Sequence, residues 1–130
     1  MADDLMALAD EKYVSLTTFK RNGEGVAAPV WLVADGGGLL VWTPADSWKV
    51  KRLGRDPRVT LVRCGRRGQV PDGALPVEGT AEVVDDPSVV AKTEAALKRK
   101  YGFEYRVVTL IERIAARGSK PRVVITITPG

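Results

Sequence analysis

The amino-acid sequence predicts a mainly β fold of the α+β kind: a six-stranded antiparallel barrel with short peripheral helices, as one domain over residues 1–130. Three observations predict it. Short runs alternate apolar with polar residues, at the spacing of half-buried strands. Turns rich in glycine and asparagine separate the first of these runs closely enough for hairpins. The chain of 130 residues is 45% hydrophobic with one cysteine, which is enough apolar surface for one core without disulfide staples.

In chain order, residues 2–10 read as a short helix with Leu5, Leu8 and Ala9 on one face. Residues 13–21 alternate as a first strand. Asn22-Gly23-Glu24-Gly25 is a hairpin signal, and residues 26–34 form the second strand. Asp35-Gly36-Gly37-Gly38 turns the chain into a third strand over 39–43, which completes an expected three-stranded meander. Asp46 or Ser47 caps a short helix running to about Gly54. Residues 59–64 are the fourth strand, 65–74 a loop, and 75–84 the fifth strand. Pro87 after Asp86 opens a helix to Tyr101 that carries Val90, Leu97 and Tyr101 on one face; Gly102 stops it. Residues 104–117 form a second helix with Val107, Leu110, Ile111 and Ile114 at helical spacing, and Gly118 as C-cap. Residues 123–128 are the sixth strand. Val30-Trp31-Leu32-Val33 and Leu39-Leu40-Val41-Trp42 are apolar on both faces, which predicts a covered outer face, most simply by a second subunit.

Composition excludes several function classes. No histidine is present, so the Ser-His and Cys-His nucleophile pairs and the commonest zinc ligand are missing. No metal site is expected, and any redox chemistry falls to a bound cofactor. Cys64 lacks a histidine to activate it, and a lone cysteine fits a reducing, cytoplasmic setting. No apolar run approaches the ~20 residues of a membrane span. The net charge of +4 reads either as a soluble surface with a mild excess of lysine or as a match for an anionic partner. Nucleic acid is not expected, because the aromatic residues fall in strand and helix positions that read as buried.

The segment from Thr43 to Thr60 is the most informative. A strand ends, a short helix opens, and Lys49 sits near its first turn. Lys49 and Arg52 lie three apart and share a face; Lys51 adds charge, and Thr43 and Ser47 add hydroxyls. Free amide groups at a helix start favour an anion. These residues read equally as a phosphate cradle or as a solvated basic face. Pro29 alone reads as an edge-strand residue, and Trp31 and Trp42 alone as packing. Arg63, Arg66 and Arg67 form a second basic cluster, read as a solvated loop or as a contact for carboxylates.

The order and spacing of these segments carry a resemblance. Lys49-x-x-x-Leu53-x-x-Asp56-Pro57 followed by Arg58-Val59-Thr60-Leu61 resembles the phosphate-binding segment of the pyridoxamine-phosphate-oxidase-like split β-barrel proteins. Leu16-Thr17-Thr18-Phe19, Ala28-Pro29-Val30-Trp31, Val41-Trp42-Thr43, Ser47-Trp48-Lys49, Cys64-Gly65-Arg66 and Lys100-Tyr101-Gly102 are similar to the branch that uses coenzyme F-420, an 8-hydroxy-5-deazaflavin. The resemblance implies the FMN-binding split-barrel type of fold, and a homodimer with two cofactor sites at its interface. It implies that Lys49, Ser47, Trp48, Lys51 and Arg52 surround the cofactor phosphate, with Thr43 on that side. It implies that the Pro29-Val30-Trp31 backbone lies along the ring, and that Arg66 meets the acidic tail. The activity implied is hydride transfer between the deazaflavin and a small conjugated substrate, with FMN binding, catalytic or as a carrier, as the alternative. No catalytic residue stands out. Tyr13, Tyr101 and Tyr105 are candidate proton donors, and water is the expected source. Ser47 stands where the classical oxidases often carry arginine, and their terminal arginine-histidine segment is missing, so pyridoxamine phosphate oxidation is not expected.

Overall fold

The computed structural model describes residues 2–116 and 121–130. The strands are β1 (Val14–Phe19), β2 (Gly25–Val30), β3 (Val33–Asp35), β4 (Gly38–Pro44), β5 (Arg58–Arg63), β6 (Val77–Val84) and β7 (Arg122–Pro129). The helices are α1 (Ala2–Met6), α2 (Trp48–Leu53), α3 (Pro87–Tyr101) and α4 (Phe103–Ala116). Arg117 and the expected cap Gly118 lie outside the described residues, as does the Ile114 side chain.

Seven strands form one antiparallel sheet in the order β2-β1-β5-β6-β7-β4-β3. The expected count of six is corrected here, and so is the expected meander. The run 26–34 is not one strand. It pairs with β1 as far as Val30, opposite Val14, and from Val33 it pairs with β4, opposite Leu40. Its two halves therefore sit on opposite edges of the sheet. Val30 and Val33 are three residues apart, so the edges approach within roughly 10 Å. A sheet whose two edges share one short segment must curl, and this crossover closes the barrel.

Side-chain alternation sorts two cores. Leu39 and Val41 of β4 face inward with Leu16, Leu61, Ile125 and Ile127. Leu40 faces outward with Val33 and Val124, where it meets Leu97, Tyr101 and Tyr105 of the late helices. The outer face of the two-sided apolar strands is thus covered by α3 and α4 of the same chain, rather than by the second subunit the sequence suggested. Asp86 caps α3, accepting from the Ser88 N–H at 2.8 Å, and Gly102 ends it at a positive φ of 53°. The periodic residues of α4 behave differently from expectation: Leu110 and Ile111 are about 60% exposed, and Phe103 is 79% exposed. The fifth strand starts at Val77 rather than at residue 75, because Pro76 cannot donate to the ladder, and Leu75 projects into solvent.

Candidate functional site

Strand β4 runs directly into α2, with Thr43 buried on the inward face. Strand β3 pairs with β4 from Val33, opposite Leu40, to Asp35, opposite Gly38. Trp31 and Trp42 meet around Tyr105, at ring-centroid distances of 6.4 and 5.9 Å. Val30 and Pro29 pair with Val14 and Ser15 of β1. Pro29 is exposed on edge strand β2, and Val30 packs on the inner core. The Trp31 side chain stacks on Tyr101 at 4.4 Å with an 11° tilt, so the indole is a packing group.

Ser47 holds the N-cap position of α2 but makes no side-chain cap bond. Its Oγ is buried without a hydrogen-bond partner. A buried hydroxyl left unpaired costs stability unless something else satisfies it. Lys49, two residues on, is half-buried. Burial first, and the positive charge of Arg52 second, hold its ammonium below the usual lysine range. An anion would reverse both effects. Because α2 has only six residues, its backbone dipole is small, and these side chains must supply most of the attraction.

One side of α2 borders an open groove of about 420 Å³, lined by Lys20, Arg21, Trp48, Lys51, Arg52 and Arg55. Every charged residue in that lining is basic. Lys51 sits over the Trp48 ring at 4.4 Å, and Trp48 is 67% exposed. Arg52 reaches the Thr18 hydroxyl at 3.4 Å. Lys20, Arg21 and Arg55 were not singled out in the sequence. They come from the β1–β2 turn and from past the end of α2, and only the fold gathers them. The one signal was a Lys-Arg pair directly before the Asn22-Gly23 turn.

Arg66 does not join this groove. Its loop leans on the barrel near Pro29, where a Cβ on Gly68 would lie 3.5 Å from the proline ring. Its charge acts on Glu104, which also accepts from Tyr13 at 3.2 Å and pairs with Lys12. Among the candidate proton donors, Tyr101 is buried, and burial pushes its hydroxyl up to about 12. Burial also raises the Cys64 thiol, which leaves it a poor nucleophile. Among the described residues, no cluster of potential metal ligands occurs, and no helix is long and apolar enough to cross a membrane.

The sequence matches the family model for pyridoxamine 5'-phosphate oxidase over residues 3–130. A search of curated proteins finds no match. A conserved hypothetical protein of Mycobacterium tuberculosis is similar in structure, with a TM-score of 0.71 and 20% identity over 98% of this chain and 79% of that one. The haem storage protein HutZ of Vibrio cholerae gives 0.68 and 13%, over 98% and 89%. An F-420 reductase gives 0.61 and 22%, over 95% and 91%. At these identities the likeness shows a shared split-barrel fold.

Proposed function

The chain belongs to the pyridoxamine 5'-phosphate oxidase family, and on that premise we propose that it is an oxidoreductase binding coenzyme F-420 by its phosphate. FMN is the alternative cofactor of the same chemical class. The observation that carries this reading is the pair of Ser47 and Lys49: a buried hydroxyl without a partner, two residues before a half-buried ammonium. A phosphate accepts from both at once. Thr43 stands behind this pair on the barrel wall, and the Pro29-Val30-Trp31 backbone forms the surface against which the ring lies. The groove lined by Lys20, Arg21, Trp48, Lys51, Arg52 and Arg55 suits a polyanionic tail. Arg66 lies outside that groove, and its charge acts on Glu104.

When bound, a deazaflavin supplies a hydride to an electron-poor conjugated substrate. The chain's own residues bind and orient. Tyr101 is not the proton source, since its proton is already committed to the Lys12 carbonyl at 2.8 Å and is held tightly. Water supplies the proton in this reading. The neighbour from Vibrio cholerae is named for haem storage; this chain has no histidine, the usual proximal ligand, so haem is not carried over. A homodimer fits the same reading, because the exposed apolar face of α4 offers a surface for a second copy.

The deciding experiment is an absorbance titration of the purified protein with coenzyme F-420 and with FMN, repeated with Lys49→Ala. Saturable binding of one or both, weakened in the variant, is the expected result. No binding of either overturns the proposal.

A further inference from the structure

At the crossover between β2 and β3, Leu32 is fully buried and belongs to neither strand. Its peptide groups must therefore be paired by side chains. The last turn of α3 does this. The Leu32 N–H donates to the Tyr101 hydroxyl at 3.0 Å. The Lys100 ammonium donates to the Leu32 carbonyl at 2.7 Å, and to the carbonyls of Ala9 and Glu11 at 2.9 and 2.8 Å. Three ammonium protons thus meet three carbonyls. The single Tyr101 proton goes to the Lys12 carbonyl at 2.8 Å, the shorter of its two contacts, the other being the Leu32 carbonyl at 3.2 Å.

The peptide joining Trp31 to Leu32 is planar and trans. In such a unit the N–H and C=O point opposite ways. Because the Leu32 N–H is held toward Tyr101, the Trp31 carbonyl is aimed away from α3. Stacking of Trp31 on the Tyr101 ring fixes the same residue from its side chain.

We propose that Tyr101, supported by Lys100, is a positioning residue that fixes the Trp31 carbonyl as an acceptor facing the cofactor ring. This rests on the reading that the Pro29-Val30-Trp31 backbone is the ring-binding wall. It assigns ring binding and tail binding to separate parts of the chain, α3 with the crossover and α2 with Ser47.

The test uses Tyr101→Phe, which keeps the stacking and removes the hydroxyl, with Lys100→Met as the second variant. Binding of FMN and of coenzyme F-420 is followed by absorbance. Binding of ribitol phosphate, which has the tail without the ring, is followed by calorimetry. For Tyr101→Phe, folded by circular dichroism, we expect ring-bearing ligands to bind at least fivefold more weakly, with a shifted visible band in the bound state. Ribitol phosphate should stay within twofold of wild type in that variant, whereas Lys49→Ala should weaken ribitol phosphate and both cofactors alike. Unchanged ring affinity and spectrum in Tyr101→Phe overturn the inference while leaving the proposed function standing. Ring and tail affinities falling in parallel overturn it too, since they mark a merely structural role. Wild-type protein that binds neither cofactor overturns the proposed function and this inference with it.

Discussion

The Lys100 ammonium donates to the Leu32 carbonyl at 2.7 Å although 68 residues separate them in the chain. The bond ties the barrel's closing segment to α3, and the same ammonium ties down the chain at Ala9 and Glu11. Lys100→Met keeps the length and removes all three donors. The stranded carbonyls should cost about 2–4 kcal/mol, since a lost bond to a charged donor costs roughly 1.5–3 kcal/mol and neighbouring losses do not add fully. Urea unfolding at a constant m value checks this. A loss under ~0.5 kcal/mol would show that water replaces the ammonium.

Ser47→Ala separates cofactor binding from helix capping. A capping serine replaced by alanine loses about 0.5–2 kcal/mol of stability. Here the hydroxyl makes no cap bond and is buried unpaired, so the variant should be as stable as wild type or slightly more so. Its affinity for a phosphate-bearing cofactor should fall by about 1 kcal/mol. Thermal melts of ligand-free and ligand-loaded protein read both effects together.

Lys49→Ala should weaken the cofactor by about 1–3 kcal/mol, the range of a charge-assisted bond to phosphate. The pH dependence has a defined sign. The folded protein holds this ammonium less tightly than the unfolded chain, whose ordinary value is 10.5. Ligand-free stability therefore gains from Lys49 as pH rises through the window below 10.5, where the unfolded state binds more protons. Cofactor affinity moves the other way and falls over the same window, because the protonated amine is the binding form. A pH series of titrations on wild type and Lys49→Ala checks this, and the variant should lose that slope.

The sequence made local features legible and long-range pairing illegible. The limits of α3 were readable because Asp86, Pro87 and Gly102 act on their own neighbours. The run 26–34 is apolar throughout, so nothing local marks the point where its partner changes from β1 to β4. The apolar outer face of β4 was correctly read as covered, but the cover comes from α3, more than forty residues later. Ser47 and Lys49 were readable as donors at a helix start. That the Ser47 hydroxyl is buried and unpaired depends on how α2 seats against the barrel, which no motif encodes.

The exposed side of α4 gives a prediction about assembly. Phe103, Leu110 and Ile111 project from one chain into water, with a large apolar area for a small protein. Leu110→Glu with Ile111→Lys should shift sedimentation toward the monomer without lowering the unfolding free energy of the monomer, because neither side chain packs on its own core. A dimer unaffected by both changes would place the interface elsewhere, such as on edge strand β2.

Tyr101 gives an optical test of the closing contact. Burial is the main cause that lifts its hydroxyl from 10.0 to about 12, opposed by the bond from the Leu32 N–H. The folded protein keeps that proton where the unfolded chain releases it. The contribution to stability is full below pH 10 and is lost as pH rises through about 12. Absorbance of phenolate should therefore show the Tyr101 component appearing late, or only as the protein unfolds. In Tyr101→Phe that late component should vanish. If the folded wild-type protein shows no late component that Tyr101→Phe removes, water reaches the hydroxyl, and the crossover is not closed by α3 as described.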